Sequence, residues 1–148
     1  MIIIYDFDGT LTPYPIPQYK VLEDCGYNET KLKEILSQKN INIYQSFIEI
    51  IFRIIKENNL PQNIETICLG ANNYPLNKGV IQYFEKMNNN VTHYILTSGL
   101  EEYVKRTAIN SYVKNIYGTI IDNDNQTNRL ITDKDKPTYI KKIIESEH

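Results

Sequence analysis

The chain lacks any apolar run approaching the length that a membrane span requires. It also lacks a basic excess: 16 Lys and Arg stand against 18 Asp and Glu, a net charge of −2. That balance offers no broad basic surface to nucleic-acid phosphates, so no nucleic-acid partner and no membrane partner are expected. Cysteine is scarce. Cys25 and Cys68 are isolated and form no CxxC pair, which reads as reduced thiols in a cytoplasmic protein. The opening MIIIY is too short for a signal-peptide core, has no basic leader and runs straight into aspartates. There is no internal repeat. What is present is ordinary for a globular protein: 148 residues, 41% hydrophobic and 23% charged. That length fits one compact domain, or a core with a small insertion.

Residues 2–5 form a short, β-branched apolar run, the pattern of a buried strand in a parallel sheet. Prolines 13, 15 and 17 follow and exclude a helix interior there. Three helical patterns come next. The first has Asn28 as N-cap and Leu32, Ile35 and Leu36 on one face. The second turns Tyr44, Phe47, Ile48, Ile51 and Ile55 to one side, with Ile50, Phe52 and Ile54 widening the stripe. The third starts after Pro61 and stops at Gly70. Then strand and helix alternate. An amphipathic helix buries Val80, Ile81, Phe84 and Met87. A strand, VTHYILT, leads into a helix beginning at Gly99. A short strand NIYGT, a hairpin with an Asp/Asn-rich turn and a last helix with Pro137 in its first turn complete the chain. Strand–helix alternation implies α/β architecture: a three-layer, Rossmann-like core with a parallel sheet. The expected core is discontinuous, residues 1–12 plus 74–148. Residues 13–73 form a helical insertion between its parts.

The chemistry collects where strands end. In open α/β sheets ligands bind beyond the carboxyl ends of the strands. Asp6 and Asp8 end the first strand; Thr97, Ser98 and Gly99 end the second, before a helix whose free amides suit an anion. Lys136 precedes the last helix at the same rim. Two carboxylates, a hydroxyl with helix amides, and a lysine match a phosphate held with a divalent metal; Mg²⁺ takes one or two carboxylates plus substrate oxygens and water. Each residue also has a plainer reading. Asp-Gly after a strand is an ordinary turn, Thr97 and Ser98 serve as N-caps, and Lys134 competes with Lys136. His93, inside a strand, is structural.

The segment DFDGTLT resembles the DxDGT[LV]T signature of haloacid dehalogenase-like (HAD) phosphatases. YILTSGL is similar to that superfamily's second motif, and Lys136 to its third-motif lysine. The insertion lies where relatives resembling phosphoserine phosphatase carry a helical cap. The resemblance implies an Mg²⁺-dependent hydrolase of a small phosphorylated metabolite. Asp6 would be the nucleophile forming an aspartyl-phosphate, and Asp8 the acid and then the base. Thr97 and Lys136 would hold phosphoryl oxygens. Gly9, Thr10, Ser98 and Gly99 would line the substrate. The Asp6 carboxylate and Asp8 carbonyl would hold Mg²⁺. A phosphomutase shares the first step. A receiver-type domain would need a phosphoacceptor Asp on a middle strand, where this chain has a helical pattern.

The family's fourth motif, a strand ending in acidic residues, has no counterpart before His148. Asp122 and Asp124 read as hairpin turn; Asp133 and Asp135 sit near the rim as candidate metal ligands, their plainer reading being helix capping. The expectation is a truncated form, active or able only to bind phosphate and metal without turnover. Its first strand would present an open apolar edge that pairs with a second copy. Light scattering at high concentration is expected to show association; a monodisperse, stable monomer counts against it.

Overall fold

The computed structural model describes residues 1–14, 23, 30, 34, 52, 53, 55–57, 59–87, 89–121 and 127–147. Three consecutive isoleucines and a tyrosine make β1 (Ile2–Tyr5), the residue types that suit a pleated surface. β2 is Thr92–Leu100, β3 Asn115–Ile121 and β4 Thr127–Arg129. They form one sheet in the order β1-β2-β3-β4. β1 and β3 flank β2 in parallel, with Ile2 opposite Thr92 and Tyr5 opposite Ile95. β3 serves twice: its second half pairs antiparallel with β4, Ile120 opposite Arg129. Among the described residues β1 is paired on its β2 side alone, and all four of its residues are half-buried rather than enclosed.

Period-two alternation sends the two faces of β2 to different cores. His93 and Ile95 face α2 (Val80–Met87), whose Phe84 is fully enclosed. The Phe84 ring lies 4.7 Å from His93, 5.2 Å from Tyr5 and 6.1 Å from Tyr112, centroid to centroid. His93 Nδ1 hydrogen-bonds Tyr5 Oη at 3.0 Å, so this histidine is part of the packing. Tyr94 faces the other way. Its hydroxyl donates to Glu147, and its ring leads through Tyr117 to Tyr139 on α4 (Lys136–Ser146). The result is an α/β fold of three layers, helix–sheet–helix.

The remaining helices are short. α1 (Ile64–Cys68) is capped by Asn63, whose side chain accepts from Thr66 N at 2.9 Å. α3 is Glu101–Lys105, followed by a separate 3₁₀ turn at Ala108–Tyr112. The single helix expected from Gly99 is thus two pieces, and β2 runs three residues past VTHYILT to Leu100. Arg106 joins α3 to α1 by a two-pronged pair with Glu65, both contacts at 2.6 Å.

Of the expected insertion, Asn28, Leu32, Ile35, Leu36, Tyr44, Phe47, Ile48, Ile50, Ile51 and Ile54 lie outside the described residues. So do Asp122 and Asp124. Phe52 and Ile55 are helical and buried, in one cluster with Phe7, Leu11, Ile67 and Phe84. Cys68 is a free thiol in that cluster, its pKa pushed up to about 12 by burial, so it is inert at neutral pH.

Phe84 closes this core with no exposed surface. Phe84→Ala is expected to cost about 3–5 kcal/mol, read from urea denaturation. A cost under about 1 kcal/mol would mean the α2 face is not the core it is described as.

Candidate functional site

The parallel pairing of β1 with β2 puts both carboxyl ends at one rim of the sheet. Immediately after β1, Phe7 is fully buried and fastens the chain, while its neighbours Asp6 and Asp8 are left on the rim. A tight turn follows: Leu11 N donates to the Phe7 carbonyl at 2.9 Å. Gly9 stands in this turn at φ +68°, a left-handed conformation that favours glycine. The Gly9 amide donates to the Tyr14 carbonyl at 2.7 Å and approaches the hydroxyl of buried Thr12.

Four side chains from three elements meet in two pairs. Asp8 Oδ2 accepts from the Thr97 hydroxyl at 2.9 Å, joining the β1 end to β2. Lys136 Nζ, at the start of α4, lies 3.2 Å from Asp6 Oδ2 and 3.3 Å from Asp133. Lys136 rather than Lys134 is therefore the rim lysine. Thr97 is fully buried, and its oxygen also accepts from Gly99 N at 2.9 Å. Asp8 Oδ1 and Ser98 Oγ are enclosed without a hydrogen-bond partner among the described residues. Thr10 and Gly9 are exposed at the mouth of the turn. The Gly99 amide is taken by Thr97 rather than left free, because α3 begins two residues later than the sequence suggests.

The two aspartates have unlike surroundings. Asp6 is 45% exposed and sits against an ammonium. Asp8 is pushed up to about 7, chiefly by burial. The Thr97 hydrogen bond and Lys136 pull it down, and the Asp6 charge pushes it up. For Lys136, burial lowers the pKa, but the Asp6 and Asp133 carboxylates more than offset that and leave it raised. Asp135 accepts from Thr132 N at 2.8 Å and Thr132 Oγ1 at 2.7 Å, which holds its carboxyl below the usual range. It is tied up in the turn before α4.

Several residues at this rim were not singled out from the sequence. Asn77 is the chief one: its side-chain amide donates to the Thr10 and Thr12 carbonyls at 3.0 and 3.1 Å. Its backbone amide donates to the Leu11 carbonyl at 2.8 Å. The signal was only an Asn before a helix, which reads equally as a cap. Glu101 and Arg129 also stand behind the rim, paired with each other. A cleft of 320 Å³ lies beside them, lined by Ile64, Glu65, Leu100, Lys105 and Arg106 among others. None of Asp6, Asp8, Thr97 or Lys136 lines it, and its charges are paired internally. Among the described residues no cluster of three or more His, Cys, Asp or Glu side chains is placed to hold a metal. No described helix is long and apolar enough to cross a membrane.

No protein-family model matches the chain, and no curated protein matches it by sequence. Among solved structures, the chain is similar to a phosphoserine phosphohydrolase-like protein from Francisella tularensis subsp. tularensis. The TM-score is 0.54 at 22% identity, over 89% of this chain. The likeness shows a shared α/β fold; the chain spans 64% of that protein's length.

Because Asp8 has a folded pKa of about 7 against an ordinary 3.8, the native state binds a proton that the unfolded chain has released. The stability this contributes is fully present below pH 3.8 and is lost as pH rises through about 7. Asp8→Asn should remove that dependence, leaving the metal-free variant up to about 4 kcal/mol more stable than the native chain above neutrality. Urea denaturation of both proteins across this range in chelator checks it; parallel curves would show that Asp8 is not held neutral.

Proposed function

We propose that the chain is a phosphate-monoester hydrolase acting on a small phosphorylated metabolite through an aspartyl-phosphate. The observation that carries the reading is the split between adjacent carboxylates. One is exposed beside a cation; the other is enclosed, bonded to a buried hydroxyl and poised near neutrality. Pairs of acids pushed apart by their surroundings mark a nucleophile and a proton carrier. The three-layer α/β fold and the likeness to a phosphoserine phosphohydrolase-like protein support the same class of reaction.

In this reading the Asp6 carboxylate attacks phosphorus as the ester P–O bond breaks. Asp8, protonated, gives its proton to the leaving alcohol oxygen. It then takes one from the water that attacks the acyl phosphate, which frees Asp6 and releases phosphate. Lys136 moves from Asp6 toward the phosphoryl oxygens of the incoming anion, and the Thr97 hydroxyl reaches them by turning from Asp8. The Asp6 carboxylate and the Asp8 carbonyl would hold Mg²⁺. The fit rests on the exposed Asp6 carboxylate beside that backbone oxygen, a sparse oxygen set of the kind Mg²⁺ completes with water and substrate. When bound, the ion supplies positive charge that offsets carboxylate repulsion and polarises the phosphoryl group.

A second reading, phosphate and metal binding without turnover, is favoured by the lack of a three-acid cluster among the described residues. Hydrolysis of p-nitrophenyl phosphate with Mg²⁺ and with chelator separates the two. Metal-dependent turnover is expected, falling more than about a thousandfold in Asp6→Asn while the circular dichroism spectrum is retained. Unchanged activity in that variant removes Asp6 as nucleophile. A folded chain with no turnover leaves the binding reading.

A further inference from the structure

The β2–β3 ladder pairs Leu96 with Tyr117 and next Leu100 with Thr119. Three residues of β2, Thr97, Ser98 and Gly99, therefore stand across from Gly118 alone. Such a break deprives backbone groups on both strands of their ladder partners. Side chains replace them here. Gly118 N donates to Glu101 Oε2 at 3.0 Å, and the Gly118 carbonyl accepts from Arg129 Nε at 3.1 Å. The Ser98 carbonyl accepts from Thr119 Oγ1 at 2.8 Å. Glu101 is 8% exposed, ion-paired with Arg129 and bonded to Lys105 at 2.6 Å. The strands meet so closely that a Cβ on Gly118 would lie 2.8 Å from the Glu101 Cα and backbone nitrogen.

We propose that Glu101 and Arg129 are positioning residues. Their pair holds the irregular end of β2 against β3 and so sets the Thr97 hydroxyl at Asp8. The Glu101 carboxylate is engaged by Lys105 and Arg129 and bonds the Gly118 amide, so the role assigned to it is to hold geometry. The kinetic part of this inference rests on the hydrolase reading above; the geometric part does not.

Glu101→Gln keeps an acceptor for Gly118 but loses the charge pair. Two measurements on the full chain decide the matter. First, hydrogen exchange of the Gly99 amide should speed up about tenfold or more relative to the Ile95 amide. Second, kcat for p-nitrophenyl phosphate should fall about tenfold with KM within about twofold, and the same change made in Thr97→Val should cost under about twofold more. Arg129→Lys, which keeps charge but not the guanidinium fork, should give the same pattern and serves if Glu101→Gln does not fold. Gly99 exchange that tracks Ile95 overturns the proposal, as does a kcat loss additive with Thr97→Val. If the native chain shows no turnover, the hydrolase reading fails and the exchange measurement alone decides the positioning role.

Discussion

Two carboxylates one residue apart at a strand end repel each other, and burial raises the cost of charging either. The rim of this sheet is organised around relieving that conflict. Asp6 turns outward to Lys136, where solvent and an ammonium suit an anion. Asp8 turns inward to Thr97, where burial favours the proton-bearing form more than the one donated hydroxyl opposes it. Phe7, buried between them, makes the divergence possible, since a fully enclosed ring fixes the backbone from which both side chains leave. Lys136 arrives from α4 and Thr97 from β2, far apart in sequence, each reaching one of the two aspartates.

Parallel pairing is what makes that meeting available. With Tyr5 opposite Ile95, both strands run toward the same rim, and Asp8, just past the end of β1, reaches Thr97 on the longer β2. Asn77 then fixes the turn after Asp8 from a third direction, using one residue to satisfy three successive carbonyls. The turn is held by hydrogen bonds from within the fold.

Most of the fold was legible because periodicity is local. β1, α2, β4 and α4 fall where apolar spacing placed them, and His93 packs between Phe84 and Tyr5 as a strand residue should. The pairings Asp8–Thr97 and Asp6–Lys136 were foreseeable only as neighbours on a rim, since no local pattern carries a distance. The start of α3 was missed for a physical reason. Gly99 followed by Leu-Glu-Glu looks like a helix entry, but the Thr97 oxygen claims the Gly99 amide and keeps the chain extended to Leu100. Glu101 and Arg129 were hidden as ordinary members of a helix face and a hairpin. One clue existed: an isolated glycine inside a strand signals close backbone approach, and Gly118 has that role.

An irregular strand end is costly unless its stranded backbone groups find partners, and the sheet cannot supply them where two strands differ in length between successive pairs. A regular β2 would have avoided the problem, but it would also have kept Thr97 in the alternation of the ladder. The interruption frees that hydroxyl to accept from Gly99 and donate to Asp8 at once. Glu101, Arg129 and Thr119 are then the residues that make the interruption affordable in free energy, by replacing backbone bonds with side-chain ones. The polar network behind the rim and the acid at its front are two ends of one structural solution. A change to either should be felt at the other through Thr97.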